Sequence, residues 1–168
     1  MDSQTLISFS GGRTSALMLI ELLRMPEYSD AMVAFANTGK ENEETLQFVK
    51  QVNEFIGGRI VWLEYNPDPA IWFNIVSFNT ASRKGEPFEA LIRKRGYLPN
   101  PVARFCTQDL KIRPMKKYCQ KILRWENWTN MVGIRYDEPN RWSKSKSVEQ
   151  NEVFDVEQGI EALTAAYR

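Results

Sequence analysis

The sequence predicts an α/β fold in which a parallel sheet is flanked by helices. Two observations carry that expectation. Over residues 4–65, short apolar runs alternate with longer segments of helical periodicity. The first two runs also close on turn signals, Ser10-Gly11-Gly12 and Asn37-Thr38-Gly39. Strand–helix alternation is the pattern of parallel sheets joined by right-handed crossovers.

Residues 4–8 read as a buried strand. Residues 14–24 read as a helix with Leu17, Leu19, Ile20, Leu22 and Leu23 as apolar positions, and Pro26 lies just beyond its end. Residues 31–36 (AMVAFA) form a second strand. Residues 42–56 follow as a helix that puts Leu46, Val49, Val52, Asn53 and Ile56 near one face, and residues 59–65 (RIVWLEY) form a third strand. Pro67 and Pro69, followed by a continuous apolar run, make residues 66–81 a packed loop or short helix. A helix is expected over 86–95, a loop over 96–107, and a basic helix over 112–123 with Pro114 in its first turn. A fourth strand is expected over 128–132, ending at Gly133, then loop over 137–150 and a terminal helix over 157–167.

Composition narrows the function classes. The 168 residues suit one domain, and 43% hydrophobic with 26% charged residues is ordinary for a globular chain. No apolar run reaches the ~18 residues of a membrane helix, and the first ten residues lack a signal-peptide pattern. Two cysteines make no disulfide framework, so the expected location is cytoplasmic. There is no histidine, which excludes Ser-His-Asp, Cys-His and His-zinc chemistry within this chain. Carboxylates, Lys, Arg, Cys, hydroxyls and bound ions remain.

The net charge of +1 conceals a segregation, because residues 82–124 carry 12 basic and 3 acidic groups. Such a segment reads either as a solvated helix face or as an anion site.

The strongest chemical signal is Ser8-Phe9-Ser10-Gly11-Gly12-Arg13-Thr14-Ser15. Two glycines permit a tight turn and close approach of a ligand to the backbone. The helix that follows presents unpaired N–H groups, which favour an anion. Ser8, Ser10, Thr14 and Ser15 add hydroxyls, and Arg13 adds charge. The spacing fits neither a Walker A loop nor a dinucleotide fingerprint. A plain strand-to-helix turn capped by Thr14 or Ser10 is the alternative.

SFSGGRTS resembles the PP-loop, the pyrophosphate-binding loop of the adenine nucleotide alpha hydrolase group. That group includes N-type ATP pyrophosphatases and phosphoadenosine phosphosulfate (PAPS) reductases. Phe35-Ala36-Asn37-Thr38-Gly39 is similar to the family's motif after the second strand, and residues 41–49 (ENEETLQFV) to the helix behind it. Residues 104–115 (RFCTQDLKIRPM) resemble the Cys-containing basic segment, and residues 133–141 (GIRYDEPNR) the G-x-R-x-x-E-x-x-R segment. These motifs stand in the family's order over about residues 6–141, and they are nearest to PAPS-reductase-like proteins of phage and prophage type.

The resemblance implies a Rossmann-like, PP-loop (HUP-type) architecture. It implies a single adenine-nucleotide-binding α/β domain over 1–168, with 142–168 a divergent or shortened C-terminal part. Ser8, Phe9, Ser10, Gly11, Gly12, Arg13, Thr14 and Ser15 would hold phosphates. Phe35, Ala36, Asn37, Thr38 and Gly39 would shape the adenine or ribose pocket. Gly133, Arg135 and Arg141 would complete the nucleotide site. Ser10, Arg13, Arg135 and Glu138 are the candidate catalytic residues. Cys106, Lys111 and Arg113 are candidates for the anion or substrate, and Cys119 is read as structural. No protein metal site is expected, although Asp137 and Glu138 offer oxygens to a Mg²⁺ ion.

ATP or PAPS is the implied ligand. The activity implied is that of an ATP pyrophosphatase or adenylylating enzyme, acting on an acceptor or partner protein that the sequence leaves unnamed. A non-catalytic nucleotide-binding or regulatory protein is the first alternative, since Thr14 stands where the family's loop usually has Asp. A sulfonucleotide reductase using a partner's thiol is the second. The classical reductases use a C-terminal Glu-Cys-Gly segment, and the sequence contains none. For the basic segment, with Lys111, Arg113, Lys116 and Lys117 at its heart, a small anion is favoured over a nucleic-acid backbone. Nucleic acid usually needs a broader basic surface with aromatic platforms.

Overall fold

The computed structural model describes residues 4–99 and 105–133, and the backbone of 151–154. Six strands form one mixed, mostly parallel sheet flanked by helices. In chain order the strands are β1 (Thr5–Phe9), β2 (Met32–Asn37), β3 (Ile60–Tyr65), β4 (Phe73–Val76), β5 (Thr129–Gly133) and β6 (Asn151–Phe154). Their spatial order is β4-β3-β2-β1-β5-β6. The helices are α1 (Arg13–Arg24), α2 (Glu43–Phe55), α3 (Glu86–Arg95), a single turn α4 (Phe105–Thr107) and α5 (Arg113–Lys121). The chain divides into two compact units, Met1–Val33 with Asn127–Arg168, and Ala34–Glu126.

In the first unit β1 pairs in parallel with β5, Thr5 opposite Thr129 through Ser8 opposite Val132. β5 pairs in parallel with β6. Helix α1 covers both β1 and β5. Its inward face is Ser15, Ala16, Met18, Leu19 and Leu22, whereas Leu17 is exposed. The leucine-rich stretch of α1 therefore has its seam one residue away from Leu17, because a 3.6-residue period selects one stripe and not every apolar residue.

In the second unit α2 buries Leu46, Val49 and Val52, the stripe its spacing predicts. The Asn53 side chain instead accepts a hydrogen bond from the Ile60 N–H at 2.7 Å, which ties the end of α2 to the start of β3. Residues 66–81, expected as loop or short helix, contain β4, which runs antiparallel to β3. Pairing with β3 overrides the local apolar run, and only Phe73 of β4 is buried. The parallel sheet thus carries an antiparallel strand at one end. β6 is a further strand that the polar 137–150 segment and its surroundings gave no reason to expect.

Helix also begins earlier than expected on the basic side. Residues 105–121 are helical throughout, with a π-type turn over Gln108–Ile112. Asp109 and Leu110 are the buried side chains of this turn. Leu110 joins Tyr65 and Leu91 in a core cluster, with Phe88, Ala90, Phe105 and Cys106 packed around it. α5 buries Met115, Tyr118 and Cys119, and Tyr118 meets Phe73 edge-on at 5.7 Å. No helix among the described residues is long and apolar enough to cross a membrane.

Candidate functional site

In the first unit, β1 ends at Phe9 and α1 begins at Arg13, so the loop between them is three residues long. Gly11 has φ +82°, a conformation that a side chain at this tight turn would disfavour. Gly12 is the N-cap of α1 and makes no side-chain capping bond; neither Ser10 nor Thr14 serves as the cap. Ser15 instead ties the loop together from inside. Its hydroxyl donates to the Gly12 carbonyl at 2.9 Å and accepts from the Ser10 N–H at 3.3 Å. The Ser10 and Ser15 hydroxyls are 2.8 Å apart. Ser15 is buried while Ser10, Gly12 and Arg13 are exposed. The loop therefore presents a hydroxyl, a guanidinium and an uncapped helix start to solvent.

Two other predicted residues have structural work here. The Ser8 hydroxyl donates to Asn130 of β5 at 2.7 Å, and the Phe9 ring is buried in the core. Gly133, at the end of β5, lies against the first turn of α1. A Cβ there would stand 3.1 Å from Ser15 Cα and 3.3 Å from Ser15 Cβ. The ends of β1 and β5 and the start of α1 thus come together in one place. Arg135, Asp137, Glu138 and Arg141 lie outside the described residues.

In the second unit, the Phe35 and Ala36 side chains are core, and Phe35 packs edge-on against Trp62 at 5.0 Å. Asn37 is completely buried. Its Nδ2 donates to Glu64 Oε1 at 2.6 Å and to the Ser82 carbonyl at 2.9 Å, while its Oδ1 accepts the Gly39 N–H at 3.1 Å. Glu64 also takes the Ser82 N–H at 2.7 Å and its hydroxyl at 2.8 Å. A buried carboxylate needs such partners, and this network saturates it. Glu64 and Ser82 did not emerge from motif reading. The signal was available: a lone carboxylate inside the apolar run RIVWLEY.

The turn after Asn37 then meets the basic segment. Thr38 Oγ1 donates to Glu41 Oε1 at 3.1 Å, and Lys111 Nζ stands 3.3 Å from the same oxygen. The fold therefore carries Lys111 across seventy positions of sequence to the Thr38–Glu41 turn. Arg113 is differently placed. The Asp109 carboxylate is buried; its Oδ2 accepts Arg95 Nε at 3.0 Å and Nη2 at 2.5 Å, and its Oδ1 lies 2.6 Å from Arg113 Nη1. This hydrogen bonding pushes the Arg95 guanidinium above its ordinary value. Burial, followed by the negative charge of Asp109, raises the Tyr65 phenol. Cys106 is half-buried beside the Tyr65–Leu91–Leu110 cluster. Cys119 is wholly buried, and burial pushes its thiol up to about 12. Among the described residues no group of three His, Cys, Asp or Glu side chains is placed to hold a metal ion.

Comparison with known proteins agrees with these motifs. Residues 4–161 match the family described as the phosphoadenosine phosphosulfate reductase domain. An uncharacterized nin region protein of Escherichia phage lambda is 35% identical over 145 residues, covering 80% of this chain and 49% of that protein. An uncharacterized protein of Methanocaldococcus jannaschii is 30% identical over 142 residues, 84% of this chain and 25% of that protein. The chain thus spans about half of the first relative and a quarter of the second. With the match running through the strand-one loop, the Asn37 turn and the basic helix, this chain belongs to the phosphoadenosine phosphosulfate reductase domain family.

Proposed function

We propose that the chain binds an adenine nucleotide, with ATP or PAPS as the ligand class, and that it acts as an ATP pyrophosphatase or adenylylating enzyme. The observation that carries this reading is the loop itself. A short glycine turn leads into an uncapped helix start and presents Ser10 and Arg13, with Ser15 locking its shape. Backbone N–H groups at such a start suit phosphate oxygens.

In this reading the Ser8–Ser15 loop takes the phosphates. An acceptor oxygen or nitrogen, or water, bonds to the α-phosphorus. The α–β bridging P–O bond breaks, and its electron pair leaves on pyrophosphate. Ser10, Arg13, Arg135 and Glu138 are the proposed catalytic residues. Positioning and stabilisation of oxygen charge supply the catalysis, so no histidine is required.

A second reading, a nucleotide-binding protein without turnover, is favoured by Thr14 in place of the loop's usual Asp. Calorimetry with ATP, AMP, PAPS and GTP, paired with a pyrophosphate assay, separates the two. Adenine-selective binding with pyrophosphate release is expected. Binding without release makes the second reading correct. No binding of any adenine nucleotide at millimolar concentration refutes both. Ser15→Ala removes the inner tie of the loop and should weaken nucleotide binding about tenfold, the equivalent of one hydrogen bond. Cys106→Ser should keep pyrophosphate release; its loss in a folded variant would point to thiol chemistry.

A further inference from the structure

Helix α5 has a second regular face. Met115, Tyr118 and Cys119 point inward, and Arg113, Lys117 and Lys121 recur every four residues beside them. At a rise of about 1.5 Å per residue, successive members of this row stand roughly 6 Å apart along the helix. The 66–72 loop folds onto the row. The Trp72 ring has Arg113 Cζ at 5.1 Å, Lys117 Nζ at 5.9 Å and, from α3, Lys94 Nζ at 5.2 Å from its centre. Lys94 also donates to the Pro67 carbonyl and Lys121 to the Ala70 carbonyl. Trp72 itself sits at φ +71°, a conformation that costs a bulky residue energy.

Of these four cations only Arg113 has a carboxylate partner, Asp109. Among the described residues no carboxylate lies within ion-pair distance of Lys94, Lys117 or Lys121. The fold gathers these like charges around one indole and two carbonyls. Exposed Lys116 on the helix and Arg124 just beyond its end add charge of the same sign.

We propose that this face binds the phosphodiester backbone of nucleic acid without regard to sequence. A single phosphate would be held by donors converging on a point. Here the cations form a row with one flank, which suits a chain of repeating charges. Because cations lie over the indole, Trp72 holds the lysines in place and is not a platform for bases. Contacts are then made to backbone only, which positions without reading sequence. The basic segment alone favoured a small anion; the fold adds Lys94 and Trp72 from elsewhere in the sequence, and the surface becomes broad enough for a polymer.

The test is fluorescence anisotropy with a labelled 20-nucleotide single strand and its duplex, in two unrelated sequences, between 20 and 200 mM NaCl. Both sequences should bind alike. For the duplex, log K should fall with log salt at a slope of about −3, as expected when three to four phosphates are neutralised. Lys94→Gln, Lys117→Gln and Lys121→Gln combined should weaken binding at least tenfold at low salt, and each single change should reduce the slope by about 1. A control of equal charge loss, Lys50→Gln, Lys84→Gln and Arg93→Gln combined, should stay within twofold of the parent. Should the triple variant fail to fold, the single variants carry the test. Absence of binding at 20 mM salt, or equal loss in patch and control variants, overturns the proposal. Displacement by tripolyphosphate at equal phosphate concentration would make this a small-anion site, and equal affinity for polyglutamate an acidic-peptide site; either result overturns it too. Patch variants should retain ATP binding, so this inference and the nucleotide reading fail separately.

Discussion

Gly39 shows how one missing side chain can decide a turn. It sits at φ +75°, and a Cβ would approach Pro87 Cδ to 2.8 Å and Gly85 Cα to 3.0 Å. Gly39→Ala therefore adds backbone strain of about 1–3 kcal/mol, before any displacement of α3 is counted. Urea unfolding should show a loss of at least that size, and an unchanged midpoint would mean the turn relaxes freely. The two cysteines form a contrasting pair. Cys106 is half-buried, whereas Cys119 is inaccessible and its thiol is held near 12. Since the thiolate is the reactive form, iodoacetamide at pH 8 should modify Cys106 first. Cys119 should react only as the chain unfolds, which mass spectrometry of timed digests would reveal. Comparable rates would show that α5 opens locally.

At the scale of elements, the decisive tie is the one from β2 to β3 and the 82 turn. Glu64→Ala would strip partners from Asn37 and Ser82, each bare group costing about 1–3 kcal/mol. Glu64→Gln keeps the shape and one acceptor, and should lose less; chemical denaturation of both variants checks the order. Equal losses would mean that charge and not hydrogen bonding matters there. β1, β2 and β3 were legible as short, nearly continuous apolar runs that the fold buries, and α2 because its apolar spacing matches its buried stripe. β4 was not legible, because a run of Ile71, Trp72 and Phe73 behind two prolines carries no alternation and acquires its strand geometry from β3. The early start of helix at Phe105 was hidden by the preceding Pro99 and Pro101. For the candidate site, the Ser8–Ser15 loop and the Asn37 turn could be read directly, since glycine and hydroxyl spacing is local. Glu64 left a local trace, a carboxylate within an apolar run, but its bonds to Asn37 and Ser82, the bond of Asn37 to Ser82, and that of Asp109 to Arg95 join residues 14 to 45 positions apart and are chosen by packing.

At the scale of the molecule, a sheet of this kind has two outer strands, and β4 is one of them. It offers only four residues, with Asn74 and Ile75 both exposed. Asn74 also accepts a hydrogen bond from Asn66 at 2.8 Å, which holds the loop close to that margin. Long, flat, apolar margins recruit further chains into fibrils, and natural sheets guard against this with short strands, polar residues and nearby prolines. β4 has all three, with Pro67 and Pro69 just ahead of it. The irregularity that concealed this strand from sequence reading is thus also a safeguard against aggregation. Asn74→Val would join Phe73, Ile75 and Val76 into one uninterrupted apolar ribbon. Such a variant should shorten the lag before thioflavin-positive aggregates form at 37 °C, and an unchanged lag would place the protection elsewhere.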